Sequence, residues 1–426
     1  MSRTRDLPPP GERGRPHPAT SPRTAMAHPF RYGPRALIGY LAFLNAFVPI
    51  STDLYLSALP RMTEVFQCPR HLVDLTISGF MLFFALSMLV WGPLSDRWGR
   101  KPVLKAGLLL YAAASLVCLF APTIYVFIFG RVCQAIGSGA VSAISLAIVK
   151  DVYRGREVEN VLVWMQTISN LAPMVAPILG AFLLQITSWK GLFVTLFLCS
   201  AAAFLLLGSL DETLEHPLET GPLATFARLF VVLRIPGLRN LLLLSSISSM
   251  PFMAYITSSA FIYITFFGCT EQQFGFYFAV NAIASMAGPL AYKRFLRNMP
   301  HVPFLTLSFS VTVLTGIGLL LAGASGPVAF LLLYFPLTFF AAASRPLNTL
   351  LILSQVDGDT GSVSSLIGCG GLLFGSIAMA CCSVAAHAPV LPVGAMATGI
   401  GVLCLIYWLI LASTKGYRDP FAGRRR

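Results

Sequence analysis

The sequence predicts an all-α membrane protein with twelve transmembrane helices in two pseudo-symmetric six-helix bundles. Its 426 residues are 56% hydrophobic and only 11% charged, whereas soluble proteins carry about 25% charged residues. The mean hydropathy is +0.75. The apolar residues form runs of about twenty, the length that crosses a hydrocarbon layer of about 30 Å. Inside lipid only helices and closed barrels satisfy the backbone, and runs this long favour helices.

The N-terminal segment, residues 1–35, differs from the rest of the chain. It holds eight prolines and seven arginines and has no apolar stretch like the core of a signal peptide. Such a segment has too little apolar surface to fold around. We therefore expect a disordered basic tail on the cytoplasmic side of the membrane.

Twelve apolar segments follow the tail. They are residues 37–59, 72–95, 102–121, 124–149, 160–184, 190–209, 239–266, 274–296, 303–323, 327–350, 362–386 and 390–413. If all twelve cross the membrane, 25 of the 30 Lys and Arg residues lie on the side of the termini and three on the other side. Because positive charge accumulates on the cytoplasmic side, both termini are predicted to be cytoplasmic.

The predicted spans divide into two sets of six. We assign residues 36–210 to an N-terminal bundle, 211–238 to a cytoplasmic loop, 239–413 to a C-terminal bundle and 414–426 to a basic cytoplasmic tail. The tripeptide Gly-Pro-Leu occurs at 92–94 and again at 288–290, near the ends of the second and eighth spans. Its equivalent place in each half favours a duplicated architecture.

Two ionisable residues lie deep within predicted spans, at similar depths: Asp53 in the first and Arg131 in the fourth. Each costs about 2.5–3.5 kcal/mol to insert, so such residues are usually functional. We interpret Asp53 as a site that binds and releases a proton, and Arg131 as a partner across a cavity that adjusts its proton affinity. The alternatives are a fixed structural ion pair, or an Asp53 that reaches interfacial water.

Polar residues near these two charges predict a substrate cavity. In the fourth span a polar face runs from Arg131 to Ser145, and in the first span one face carries Pro49 with Asp53. The bland alternative is hydrogen bonding between helices, which single polar residues suffice to make. The residues assigned to the cavity are Asn45, Gln134, Asn170, Tyr255 and Asn281. Arg345, near the inner end of the tenth span, is expected to snorkel to the cytoplasmic interface, with a substrate role as the second option.

Two further features, the turn between the second and third spans and the prolines of the fifth span, predict elements that change conformation during transport. The turn between the second and third spans is predicted to latch the bundles in one conformation, because it concentrates charges between glycines. The residues assigned to this latch are Gly92, Asp96, Arg97, Gly99, Arg100 and Lys101. In the fifth span Pro173, Pro177 and Gly180 share one face with Asn170, and the prolines are expected to bend a gating helix. Their alternatives are a plain positive anchor and ordinary membrane-helix prolines.

These motifs resemble those of one transporter family. Residues 92–104 match the G-x-L-x-D-R-x-G-R-K-x-x-L signature of the major facilitator superfamily at every defined position. Residues 131–137 and 173–180 are similar to its fourth-span motif and to the fifth-span motif of proton-driven exporters. Residues 53–60 resemble the D-x-Y-L-P-A-L-P string of the bicyclomycin and chloramphenicol resistance (Bcr/CflA) branch, with Ser57 in place of a proline.

The resemblance implies two six-helix bundles around a central cavity, which export drugs in exchange for protons by alternating access. It implies coupling roles for Asp53 and Arg131 and a latch role for the 92–101 turn. It also suggests a bacterial inner membrane as the location. Ala181, where the fifth-span motif has its second glycine, weakens the case for antiport. The Arg345-Pro346 pair is unusual for the branch.

Other functional classes fit less well. A Walker loop needs glycine before lysine, and no lysine of this chain follows glycine. The six histidines fall in tails, loops or span ends, which disfavours a metal-dependent enzyme. A channel suits two halves and a latch less well than a rocking carrier does.

We expect no cofactor, no nucleic-acid partner, a monomer in a lipid bilayer, and small drugs and protons as ligands. A proton-coupled transporter of a metabolite is the alternative. Cys68 and Cys269, both in predicted outer loops, are expected to be free thiols, because a disulfide there would join the halves.

Overall fold

The computed structural model describes residues 29–154, 156–214, 231–296, 299–356, 360–383, 388–414 and 416–419. Within these ranges the chain is helical apart from turns and one isolated β-bridge, between Phe30 and Leu210. The N-terminal tail through residue 28, most of the predicted inter-bundle loop and the end of the C-terminal tail lie outside the described residues.

Fourteen α-helices occupy the described ranges. They are α1 Pro34–Leu56, α2 Leu59–Val65, α3 Arg70–Trp98, α4 Arg100–Leu119, α5 Ile124–Val152, α6 Arg156–Ile186, α7 Trp189–Leu207, α8 Pro236–Ser248, α9 Met250–Ala260, α10 Glu271–Ala291, α11 His301–Ala322, α12 Pro327–Leu353, α13 Thr360–Cys382 and α14 Val390–Thr414. Two π-helical segments, Phe261–Phe266 and Tyr292–Leu296, extend α9 and α10.

Eleven helical stretches in the described part of the chain are long and apolar enough to cross a membrane. One of them, Pro236–Phe266, combines α8, α9 and the first π segment. The predicted fifth span corresponds to α6, which is not among the eleven; its apolar part is Leu171–Ile186. The structure thus confirms an all-α membrane fold, while the count of twelve spans stays a prediction.

The outward-facing apolar surface fits this fold. Leu205, Leu314 and Leu321 are 77%, 67% and 83% exposed. Each lies in the middle or later part of a long apolar helix. Exposed apolar surface on this scale marks contact with lipid or with another protein. Here it surrounds helices of membrane-spanning length, so lipid is its natural solvent.

Glycine allows the fourth predicted span, α5, to pack closely on its neighbours. A Cβ at Gly107 of α4 would lie 2.5 Å from the Cβ of Ala140, and one at Gly137 would lie 2.7 Å from the carbonyl oxygen of Gly107. Ser138 is fully buried, and its hydroxyl donates to the carbonyl of Gln134 in its own helix at 2.8 Å. This part of the polar face of α5 therefore packs against α4, while the hydrogen bond of Ser138 stays within its own helix.

The two predicted bundles meet along α3 with α13 and along α6 with α10. A Cβ at Gly275 of α10 would lie 3.3 Å from the Cα of Ile178 in α6. At the predicted outer end, Arg61 and Glu271 form an ion pair at 2.6 Å. Cys68 and Cys269 are not joined by a disulfide in this structure, and their free-thiol state stays a prediction.

Candidate functional site

A cavity of about 190 Å³ lies between the two predicted bundles, and we call it the central cavity. Helices α1, α3 and α6 line it from one side, and α9, α10, α12 and α13 from the other. Its wall is mostly apolar, with few polar groups. The residues used below are Thr52, Asp53, Pro173, Phe252, Tyr255, Phe278, Asn281 and Arg345.

Asp53 brings a carboxyl group to this wall and is only 5% exposed. Its Oδ1 lies 3.1 Å from Oγ1 of Thr52. The same hydroxyl lies 3.0 Å from the carbonyl oxygen of Val48 and 3.2 Å from that of Pro49. A hydroxyl has one hydrogen to donate. When Thr52 donates it to a carbonyl of its own helix, the contact with Asp53 is a hydrogen bond only if Asp53 carries a proton.

Arg131 is fully buried inside the predicted N-terminal bundle. Its Nη1 donates to Oε1 of Gln134 at 2.8 Å and lies 3.4 Å from both the carbonyl oxygen and Oγ of Ser51. Its guanidinium carbon lies 4.5 Å from the centre of the Phe80 ring and 5.1 Å from that of Tyr55, which are cation–π distances. Its Nε and Nη2 have no hydrogen-bond partner among the described residues.

Asp53 and Arg131 therefore do not face each other across a cavity, contrary to the sequence expectation. Asp53 lines the central cavity, while Arg131 contacts Ser51. Residues 51 and 53 of one helix point in widely different directions, because each residue turns the helix by about 100°. Any influence of Arg131 on Asp53 passes through α1, and the coupling role of the pair stays a prediction.

The predicted cavity residues separate into two groups. Tyr255 and Asn281 line the central cavity, and Oδ1 of Asn281 has no hydrogen-bond partner among the described residues. Asn45 instead donates to the carbonyl oxygen of Met165 at 3.5 Å, which joins α1 to α6. Gln134 joins Arg131 to Oγ of Ser115, at 2.8 Å. The side chain of the fifth predicted member, Asn170, lies outside the described residues.

Arg345 also lines the central cavity, and the expectation that it snorkels to the interface is wrong. Its guanidinium carbon lies 5.3 Å from the centre of the Phe252 ring. Side chains on a helix lean toward its N-terminus. The N-terminus of α12 is the predicted outer end, so Arg345 is directed into the bundle and away from the nearer, inner interface.

A second cavity, of about 300 Å³, lies in the predicted C-terminal bundle and was not anticipated from the sequence. It shares Phe252, Arg345 and Leu372 with the central cavity, so the two adjoin. Its wall is rich in hydroxyl and amide groups: Ser245, Ser248, Ser249, Ser308, Thr312, Ser344, Asn348 and Thr349. Helical spacing of such residues, as in Ser344 and Asn348, is the sequence signal that was available.

The predicted latch turn forms a compact ionic cluster. Arg100 bonds to Asp96 at 2.5 Å, to Oγ of Ser95 at 2.6 Å and to Asp151 at 2.8 Å. The Glu212 carboxylate accepts from the backbone N–H of Arg100 at 2.8 Å and of Lys101 at 3.1 Å, which caps α4.

The glycines at the ends of the latch differ. Gly99 has φ 97°, a conformation that favours glycine, and a Cβ there would lie 2.5 Å from Oε2 of Glu212. Gly92 has open space around its Cα. Arg97 is exposed. In the described part of the chain the partners of Arg100 all precede the predicted C-terminal bundle, so the latching of one bundle to the other stays a prediction.

The predicted gating helix α6 runs beside α1. Pro173 lines the central cavity, and the carbonyl oxygen of Pro177 accepts from Oγ of Ser57 at 3.1 Å. A Cβ at Gly180 would clash with the carbonyl oxygen of Leu54. Ala181, the departure from the exporter motif, is buried in this packing. The three predicted gating residues thus lie where α6 meets α1 and the cavity.

Comparison with known proteins places this architecture in a family. A family model described as Major Facilitator Superfamily matches residues 41–379. The chain belongs to the Major Facilitator Superfamily. It is accordingly a multi-pass membrane transporter and not an enzyme. A D-xylose–proton symporter of known structure has the same fold, with a TM-score of 0.73 at 14% identity over 90% of this chain and 99% of the symporter.

Relatives within the superfamily carry drug-resistance names. A bicyclomycin resistance protein homolog of Haemophilus influenzae is 25% identical over 79% of this chain and 86% of its own length. A chloramphenicol resistance protein of Pseudomonas aeruginosa is 33% identical over 41% of this chain and 42% of its own length. These similarities support the resemblance to the Bcr/CflA branch that the motifs indicated.

Proposed function

We propose that this transporter exports small amphiphilic drugs, of phenicol or bicyclomycin type, in exchange for protons. The observation that carries the proposal is a buried carboxyl group, Asp53, on the wall of a cavity between the two predicted bundles. The names of the relatives support drugs as the substrate class.

Alternating access requires the cavity to open to one side and then to the other. A change from one opening to the other is unfavourable while the cavity holds an unpaired carboxylate, because a charge in a desolvated site loses its hydration. Asp53 therefore travels either protonated or paired with a cationic group. In the proposed cycle it takes up a proton from outside, the cavity reorients, and the proton leaves to the cytoplasm as the drug enters.

The surroundings of Asp53 support a group that changes its protonation state. Its described hydrogen-bond partner is Thr52, whose hydroxyl can either donate to a carboxylate or accept from a carboxylic acid. Arg131, behind α1, contributes a fixed positive charge to the field of the predicted N-terminal bundle. We propose that it biases Asp53 through α1 and its contact with Ser51.

The predicted setting completes the proposal. We place the protein in a bacterial inner membrane as a monomer, with both termini in the cytoplasm and with the predicted latch on the inner face. Its ligands are the drug and protons, without a cofactor or a nucleic acid. The 25-to-3 distribution of Lys and Arg supports this orientation.

The test uses inside-out membrane vesicles that contain the full chain, with an imposed gradient that is acid inside. A pH-sensitive dye reports proton release when chloramphenicol or bicyclomycin is added. We compare the native protein with Asp53→Asn. Glu64→Gln is the matched control, because Glu64 is an exposed acid outside the cavity. Immunoblots of the vesicles confirm equal amounts of each variant.

We expect drug-evoked proton release in the native protein and in Glu64→Gln, and none in Asp53→Asn. Release that persists in Asp53→Asn would leave drug export standing and remove Asp53 as the coupling residue. If no drug disturbs the gradient in the native protein, the export proposal fails, and the alternative of a metabolite transporter takes its place.

A further inference from the structure

The central cavity contains one residue of each charge, contributed by different bundles. Asp53 belongs to α1 and Arg345 to α12, and both side chains line the same cavity of about 190 Å³. Among the described residues of its wall, Tyr255 is the other titratable group. The remaining wall residues are apolar or carry neutral polar groups.

Arg345 is free to bind a ligand. No hydrogen bond or ion pair joins its guanidinium to the described part of the chain, and its contact there is with the face of the Phe252 ring. The side chain is exposed even though it lies well inside a membrane helix. The surface it exposes is the wall of the two adjoining cavities. An intramembrane cation without a partner is a strong indication of an anionic ligand.

A second observation points to a ligand at the same place. Asn281 is one of the residues that line the central cavity; it is 2% exposed, and its buried Oδ1 has no hydrogen-bond partner among the described residues. A buried acceptor left unpaired is unfavourable by about 1–3 kcal/mol, so such atoms usually meet a ligand or water. Among the aromatic residues on the same wall, Phe252 is partly exposed, whereas Tyr255 and Phe278 are buried and stack on each other with ring centres 5.8 Å apart.

We propose that the preferred substrates are aromatic zwitterions, whose ammonium group binds at Asp53 and whose carboxylate binds at Arg345. Their aromatic ring lies against the partly exposed Phe252, and the amide of Asn281 lies on the same wall. The proposal goes beyond the neutral phenicol and bicyclomycin types named above, and it rests on the proposed function in one respect, that Asp53 is the exchange site.

The charge arrangement accounts for antiport of substrate and proton rather than symport. An ammonium group and a proton compete for the Asp53 carboxylate, so binding of one displaces the other. A ligand with a carboxylate alone would do the opposite, because its negative charge near Asp53 favours the protonated acid. A ligand with an ammonium alone would leave the Arg345 charge unpaired. The zwitterion is the ligand class that pairs both residues and still exchanges for a proton.

The test uses four probes built on one ring. The zwitterion is 4-(2-aminoethyl)benzoate, which holds its two charges at opposite ends of the ring. Its methyl ester is a cation, its N-acetyl derivative an anion, and the N-acetyl methyl ester is neutral. Binding to the purified full chain in lipid nanodiscs is measured by calorimetry at pH 7. Repeating the titrations in buffers of different ionisation enthalpy counts the protons released.

We expect the zwitterion to bind about tenfold more tightly than each of the other probes, because each added charge-assisted hydrogen bond contributes on that order. It should also release protons on binding. Arg345→Gln should remove the preference over the cationic ester, and Asp53→Asn the preference over the N-acetyl anion. Arg345→Lys keeps the charge and should retain part of the preference. Unchanged binding of the neutral probe shows that each variant is folded.

Equal binding of the cationic ester and the zwitterion by the native protein would overturn the proposal. So would a lack of zwitterion binding, or an Arg345→Gln variant that keeps the preference. The vesicle assay separates this result from the proposed function. Asp53-dependent proton release with chloramphenicol but no charge preference would leave drug–proton exchange intact, whereas charge preference without drug-evoked release would remove drug exchange alone.

Discussion

The ion pair between Arg61 and Glu271 joins the two predicted bundles at their predicted outer end, and reversing one charge should open that end. The two side chains approach to 2.6 Å and are 48% and 18% exposed. Glu271 also lies in the first turn of α10, where a negative charge favours the helix. We therefore reverse Arg61 in the first variant, Arg61→Glu, and leave the start of α10 intact.

The magnitude follows from the exposure of the pair. A partly exposed ion pair contributes about 0.5–1 kcal/mol. Replacing it by two like charges adds a repulsion of similar size, so the reversal should total about 1–2 kcal/mol. A difference of 1.4 kcal/mol is a factor of ten in an equilibrium constant. The ratio of outward-open to outward-closed molecules should therefore rise by about five- to thirtyfold.

Electron–electron distance measurements in nanodiscs can report this change. Spin labels are placed at positions 65 and 272, both exposed, in a background that lacks the accessible native cysteines. Arg61→Glu should increase the population with the longer distance, and the swap Arg61→Glu with Glu271→Arg should restore most of the original distribution. High salt should open the native protein but not the reversed variant, because it screens an attraction in one and a repulsion in the other.

An unchanged distance distribution in Arg61→Glu would refute the reasoning that this pair holds the outer end closed. If the swap does not restore the distribution, the increase in the longer distance came from another effect of the Arg61→Glu substitution.

Three other outcomes follow from the structure. Gly180→Val should lower the free energy of unfolding of the purified protein by about 1–3 kcal/mol, because its Cβ would clash with α1. Gly39→Ala is the control, because open space surrounds that position. Equal melting temperatures of the two variants would contradict this prediction. Arg100→Ala should lower the free energy of unfolding by about 2–3 kcal/mol, because it leaves two carboxylates unpaired. Arg97→Ala, at an exposed arginine, should lower it little. An Arg100→Ala variant no less stable than Arg97→Ala would show that the cluster does not stabilise the protein. Burial raises the pKa of the Cys68 thiol, so N-ethylmaleimide should modify this thiol more slowly than free cysteine at pH 7.5. The modification rate should rise about tenfold per pH unit below that pKa. Mass spectrometry over time measures the rate, and a rate that does not depend on pH would contradict the prediction.

The helices were predictable because lipid leaves the backbone few options, so runs of apolar residues map onto helices directly. The ends moved by a few residues for local reasons. Pro34 at the first turn starts α1 earlier than the apolar run does, and Gly99 ends α3 later. The short helix α2, residues 59–65, was missed because seven residues of mixed polarity carry little periodic signal.

The site was only partly predictable. Asp53 was identifiable because an acid in an apolar run is unusual at any position on the helix surface. The error over Arg345 came from depth alone, because distance from a helix end does not say which way the side chain leans. Gln134 was assigned to the cavity although its amide bonds inside the bundle, since a polar residue on a helix face can serve either purpose. Asp151 and Glu212 escaped notice because their roles depend on contacts across 51 and 112 residues of sequence.

The contact between Glu212 and the start of α4 can form before the second half of the chain has been synthesised. Every partner described for Arg100, from Ser95 to Glu212, precedes the seventh predicted span. The first six predicted spans can therefore complete the turn between α3 and α4 while the ribosome is still synthesising the rest of the chain. The second half then inserts beside a neighbour whose surface is already set, and a chain cut between residues 215 and 230 should still supply two halves that recognise each other.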